Sequence, residues 1–156
     1  SYAIVLPQGL IDELGGVSSE EVATHAKNTK EVDARAVKKT MLSERALGRN
    51  PEEMPHNNPG WDIRSVDGSE KTIFIEVKGR IEGADTFTIT RNEVLTAKNI
   101  GENYRLSLVR VSVNGEAEDQ IRYIPNPFTD YDPESFEVCS YTLNWKSMWE
   151  RGLDPH

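Results

Sequence analysis

The stretch Thr72-Ile73-Phe74-Ile75-Glu76-Val77-Lys78 decides the fold. It is dense in β-branched and aromatic residues and reads as a strand. Side chains alternate along a strand, so Phe74, Glu76 and Lys78 share one face and Ile73, Ile75 and Val77 the other. Glu76 and Lys78 then lie side by side at the strand's end, about 7 Å apart along the backbone. Upstream, Trp61 to Ser65 reads as another strand, and Val66-Asp67-Gly68-Ser69 supplies turn residues between the two. A hairpin through that turn brings Asp62 beside Glu76 and Lys78.

Two carboxylates from neighbouring strands, next to one ammonium and in apolar surroundings, form an oxygen cage suited to a divalent cation. Magnesium keeps several waters, so Asp62, Glu76 and the Val77 carbonyl are a sufficient protein contribution. A cation there lowers the pKa of a bound water and neutralises charge on a phosphate, which points to phosphodiester hydrolysis. Lys78, flanked by acids, is expected to stay protonated, orienting the nucleophile and stabilising the phosphate. Glu44 is expected to support the metal. It follows Val37 and Met41 at helical spacing on an apolar stripe, where a carboxylate is costly unless paired or bound to metal.

Working outward, Tyr2 to Leu6 suggests a short strand, and Ser18-Ser19-Glu20-Glu21 matches a capping box opening a helix from about Ser19 to Asn28. Asp33 is a plausible N-cap for a second helix, running to about Leu47 and stopped by Gly48. Residues 51–59 read as a loop. Gly79 to Asp85 reads as a loop, Thr86 to Thr90 as a third strand, and Thr90-Arg91-Asn92-Glu93 as a second capping box opening a helix to about Asn99. Tyr104 to Val113 and Gln120 to Ile124 complete the strands. Phe128, Tyr131, Phe136, Tyr141, Trp145 and Trp149 in the tail read as packing residues with a closing amphipathic helix. The expected architecture is an α/β sandwich around a mixed central sheet of about five strands flanked by helices. Residues 1–31 form an accessory or linker segment, 32–125 the core, and 126–156 an aromatic-rich extension.

At 156 residues, 37% apolar and 28% charged, the chain is of single-domain size and globular composition. No apolar run approaches the roughly 20 residues of a membrane span, and the start lacks a basic leader. The absence of an initiator Met points to a piece of a longer protein. One cysteine, Cys139, excludes an internal disulfide and a cysteine metal cluster and fits a reducing cytoplasm. His25 and His56 are isolated and give no zinc site. A net charge of −8 cuts against a free-standing nucleic-acid binder, because phosphate affinity comes from lysine and arginine. Local basic groups exist at Lys38, Lys39, Arg45 and Arg49, and at Lys78, Arg80 and Arg91.

The order Glu44, Asp62, Glu76-Val77-Lys78 resembles the PD-(D/E)xK restriction-endonuclease-like superfamily over about residues 33 to 113. A closer resemblance runs through Ser43-Glu44-Arg45-Ala46-Leu47-Gly48-Arg49, Asn58-Pro59-Gly60-Trp61-Asp62-Ile63, Phe74-Ile75-Glu76-Val77-Lys78-Gly79-Arg80 and Thr90-Arg91-Asn92-Glu93. Those strings are similar to the domain at the C-terminus of the plant protein NO VEIN, which also ends bacterial and archaeal helicases. The superfamily's Pro before Asp is absent, since Trp61 precedes Asp62. The resemblance implies a restriction-endonuclease-like fold and a Mg²⁺-dependent endonuclease of DNA, with Mn²⁺ as a substitute. In that role Asp62, Glu76 and Lys78 are catalytic, and Glu44, Asp62, Glu76 and Val77 hold metal. Expected partners are DNA, a helicase or translocase in the same polypeptide, and a second copy in a homodimer, with no membrane. The alternative is a non-catalytic nuclease-fold module mediating a helicase's contacts.

Overall fold

A computed structural model describes residues 19–131 and 139–156, with side chains from residue 29 onward. The chain divides into two compact units, Ser1–Glu31 and Val32–His156. Of the first, the described part is helical. The expected strand at Tyr2 to Leu6, the Ser18 capping box and Phe136 lie outside the described residues. Among the described residues, no helix is long and apolar enough to cross a membrane.

Helix α1 spans Ser19–Ala46 without a break, where two helices were expected. Nothing between Asn28 and Asp33 is a Gly or Pro, so no residue there stops the hydrogen-bond ladder, and Asp33 is an interior helical residue rather than an N-cap. The helix ends before Gly48 as expected, with the Gly48 and Arg49 N–H groups donating to the Arg45 and Glu44 carbonyls.

Five strands form one mixed sheet: β1 (Asn50–Glu53), β2 (Ile63–Val66), β3 (Thr72–Ile81), β5 (Tyr104–Val111) and β6 (Gln120–Pro125), in the order β1-β2-β3-β5-β6. β3 and β5 run parallel and the other pairings are antiparallel. β4 (Thr86–Thr90) stands apart in a two-stranded sheet with β7 (Ser140–Asn144) and leads into helix α2 (Arg91–Ile100). Helix α3 (Trp145–Arg151) follows β7, with the Asn144 side chain capping it through the Ser147 N–H.

Three elements differ from expectation. β1 lies where a loop was expected, β7 was missed, and β3 continues through Gly79 to Ile81. The continuation follows from its neighbour. Gly79, Arg80 and Ile81 pair in parallel with Val109, Arg110 and Val111, so the ladder extends past a residue of poor strand propensity.

The sheet is covered on both faces. Ile63, Ile73 and Ile75 pack with Val37 and Met41 of α1, and Val32 and Ala36 pack with Val109 and Val111. On the other face Tyr104, Leu106, Leu108 and Ile124 pack with Val94 and Ala97 of α2, Phe87 and Ile89 of β4, and Trp145, Met148 and Trp149. A second tie holds α1: the Arg35 guanidinium meets Asp119 at 2.6 Å, and Asp119 accepts the Ser112 N–H at 2.8 Å.

α1 passes close over β3 at Gly79. A Cβ there would lie 2.7 Å from the Ala36 Cβ and 3.1 Å from the Val32 carbonyl oxygen. Both are parts of the helix body, so the helix itself would have to move. Gly79→Ala is expected to cost about 1–3 kcal/mol through overpacking, and the melting temperature measured by circular dichroism should fall by several degrees. An unchanged melting curve would show that the helix has slack at this crossing.

Candidate active site

The β2–β3 register places Ile63 opposite Ile75. Asp62 therefore stands opposite Glu76, and opposed residues of an antiparallel pair project from the same face. Two bonds fix Asp62: its N–H donates to the Ile75 carbonyl at 2.9 Å, and its Oδ2 accepts the Val77 N–H at 2.8 Å. The segment leading into it is held as well. Asn58 Nδ2 donates to the Trp61 carbonyl at 2.8 Å, and the Trp61 ring meets Phe74 edge-on at 4.8 Å. The Tyr104 hydroxyl donates to the Gly60 carbonyl at 2.8 Å. Gly60 has φ +108° and faces Thr96, whose Oγ1 would lie 2.4 Å from an added Cβ, so only glycine fits.

Lys78 Nζ lies 2.7 Å from Glu76 Oε1 and 3.0 Å from Glu93 Oε1. Glu93 is the third helical residue of α2. Its Oε2 accepts the Thr90 N–H at 2.6 Å, while Thr90 Oγ1 accepts the Glu93 N–H at 3.2 Å. The expected capping box is thus complete, and the carboxylate that closes it also holds the lysine. The cluster is shielded from water: side-chain exposure is 6% at Glu76, 16% at Lys78 and 14% at Glu93.

Burial sets the protonation pattern first. It pushes Glu76 well above the usual carboxylate range; Lys78 opposes the shift, and Asp62 and Glu93 add to it. Asp62 is also raised by burial, against the Val77 N–H and Lys78. At Glu93 burial is outweighed by Lys78, by hydrogen bonding with Glu76 and by the Thr90 N–H, so it falls below the usual range. At Lys78 burial acts downward, but Glu76 and Glu93 outweigh it and hold the ammonium above its ordinary value. Without a metal these directions favour a proton on Glu76 rather than on Glu93, and a cationic Lys78. Tyr104 is likewise raised, by burial and then by the same carboxylates, and remains a neutral donor.

This donor set fits a hard, oxygen-seeking cation. Asp62 and Glu76 share a face, with the Val77 backbone between them, and the repulsion between their carboxylates is negative charge that a cation would balance. Among the described residues no group of three or more His, Cys, Asp or Glu side chains converges as a complete metal cage.

Glu44 is not brought to this cluster. Thr40, one turn before it, bonds Ser107 at 2.8 Å, and Ser107 stands opposite Tyr123. That face carries Ile75 and Ser107, whereas Glu76 and Lys78 stand opposite Leu106 and Leu108 on the other. Glu44 is fully buried and pairs with Arg49 Nη1 at 3.2 Å. The expectation of a metal ligand there is corrected, because the helical stripe that buries Glu44 faces the wrong side of the sheet.

Two acids were missed. Glu93 was legible as a capping residue, but its reach to Lys78 depends on where α2 sits. Asp33, expected to cap a helix, instead lies within reach of the charges of Arg80 and Lys78. Although surface-exposed, its carboxyl is raised by the protein crowding it, and those two cations pull it back.

A helix-flanked mixed sheet with this strand order is the α/β sandwich of the restriction-endonuclease-like fold. The structure is similar to that of Archaeoglobus fulgidus Hjc, a Holliday junction resolvase from an archaeal hyperthermophile. The TM-score is 0.52 and the identity 14%, covering 78% of this chain and 90% of that one. Residues 32–124 match the family described as Protein NO VEIN, C-terminal, and the chain belongs to that family. No curated protein matches it.

The proton on Glu76 has a thermodynamic signature. Its pKa is raised on folding, so that part of the stability is fully present below the ordinary value of 4.5 and is lost as pH rises toward the folded value. The slope is at most about 1.4 kcal/mol per pH unit. Glu76→Gln mimics the protonated acid and escapes this loss. In metal-free buffer the variant is expected to melt above the wild type at pH 7, with the gap closing near pH 4. A gap independent of pH would refute the proton on Glu76.

Proposed function

We propose that this domain is a metal-dependent endonuclease acting on DNA, with Asp62, Glu76 and the Val77 carbonyl as ligands of Mg²⁺ or Mn²⁺. The observation that carries this reading is the placement of Asp62 opposite Glu76, with Lys78 on the same sheet face. When bound, the cation supplies a Lewis acid for the scissile phosphate and lowers the pKa of water at the site. Asp62 is pre-aimed by the Val77 N–H, so little reorganisation separates the free from the loaded geometry. Lys78, held protonated, is unsuited to taking a proton; its part is to orient the nucleophile and stabilise charge on the phosphate. Glu44 takes no part.

A net charge of −8 gives little general attraction to a phosphate backbone. That supports a domain delivered to DNA by a helicase or translocase of the same polypeptide; cutting both strands would take a homodimer. The same charge favours one other reading, a non-catalytic module that keeps the nuclease fold for protein contacts.

Supercoiled plasmid, modified and unmodified, separates the two. With Mg²⁺ or Mn²⁺ the wild type is expected to nick, a chelator to stop it, and Asp62→Ala, Glu76→Ala and Lys78→Ala each to lose roughly a hundredfold or more in rate. Calorimetric titration with Mn²⁺ should show binding that Glu76→Ala abolishes. Nicking that survives Glu76→Ala and Lys78→Ala refutes this site. Inactivity of the helicase-linked protein, together with no Mn²⁺ binding, would establish the module.

A further inference from the structure

Among the described residues, the ion pairs of Lys78 are with Glu76 and Glu93, and the two differ in kind. Glu76 is a proposed metal ligand, so its oxygens are committed elsewhere once the site is loaded. Glu93 is not. One of its oxygens is fixed by the Thr90 N–H at 2.6 Å, which leaves the other, 3.0 Å from Nζ, as a stationary acceptor. The helix that carries it is anchored by Val94 and Ala97, both buried in the core.

We infer that Glu93 is the positioning residue for Lys78, keeping its ammonium on the cleavage side when Glu76 turns to the cation; this rests on the nuclease reading. A lysine reaches its head group through a flexible four-carbon stem, so one carboxylate partner leaves it free to swing. A second partner built into a helix terminus defines where the charge sits. The capping box therefore does two things at once. It satisfies backbone donors at the start of α2, and it ties the seating of that helix to the position of the lysine on β3.

Glutamine separates the two tasks, because its side-chain oxygen still accepts the Thr90 N–H while its charge is gone. Thr90→Ala does the reverse, weakening the cap while leaving the Glu93 carboxylate. With the 156-residue chain, Glu93→Gln is expected to melt lower, because one partner of a buried pair is gone, and to lose the slowly exchanging ¹⁵N ammonium resonance of Lys78. On plasmid DNA with Mg²⁺ its kcat should fall roughly a hundredfold with KM little changed. Thr90→Ala should melt lower while keeping the resonance and most of kcat. An unchanged resonance and kcat in Glu93→Gln, with a wild type that cuts, overturns the role of Glu93 and leaves the nuclease reading standing. So does a kcat that merely follows melting temperature across both variants. A wild type that cuts nothing overturns the nuclease reading itself, and the role of Glu93 falls with it.

Discussion

An ammonium held between two carboxylates away from water, Lys78 between Glu76 and Glu93, sets the demands that the surrounding fold meets. Taking an ammonium and its acid partners out of water is costly, and the attraction among them offsets that cost only when distances are short and remaining hydrogen-bonding atoms are satisfied. Glu76 and Lys78 come from β3 and Glu93 from α2, so the end of a strand and the start of a helix must be fixed against each other. Parallel pairing of Phe74 to Ile81 with Tyr104 to Val111 fixes the strand. β4 fixes the helix start: it pairs with β7 along its whole length and delivers Thr90 directly into the cap. The small second sheet, separate from the main hydrogen-bond ladder but packed on it, thus acts on the site by aiming a helix.

The strand core of the fold was legible because alternation is a strong signal where both faces are filled. Ile73 and Ile75 face α1, and Phe74, Glu76 and Lys78 face α2, as parity required. The hairpin from β2 followed from the turn at Asp67-Gly68, where the Asp67 Oδ1 gathers the Ser69 and Lys71 N–H groups. Less visible were elements whose existence depends on partners. Asn50-Pro51-Glu52-Glu53 has little strand propensity and is held as an edge strand by β2, a place where proline is tolerated. Ser140 to Asn144 sits in an aromatic tail, and only its pairing with β4 makes it a strand. Asp33 carried a local cap signal, but an uninterrupted helix seated on the sheet prevailed. Asp62 and Glu76 could be placed together from the sequence because strand register governs both. Glu93 could not, because its approach to Lys78 is made across elements.

Glu44 and Glu76 show why a buried acid is not in itself a sign of metal. Each is a carboxylate almost without exposure, and each has a cation beside it. Around Glu44 lie Arg49 at 3.2 Å and the buried Tyr123, whose hydroxyl is raised by burial and then by the Glu44 charge. The acid there pairs with Arg49 and lies within reach of the Arg105 charge, and Arg49 in turn bonds the His156 carbonyl at 2.8 Å. Around Glu76 the balance is different: Asp62 and Glu93 repel it and one ammonium is shared with Glu93, so a proton is favoured there. Added positive charge would gain nothing beside Glu44, where the charges already match. Beside Glu76 it would displace a proton and relieve repulsion between carboxylates. The sheet keeps these two settings on opposite faces, and the chemistry of the site follows from which face lacks its full complement of cations.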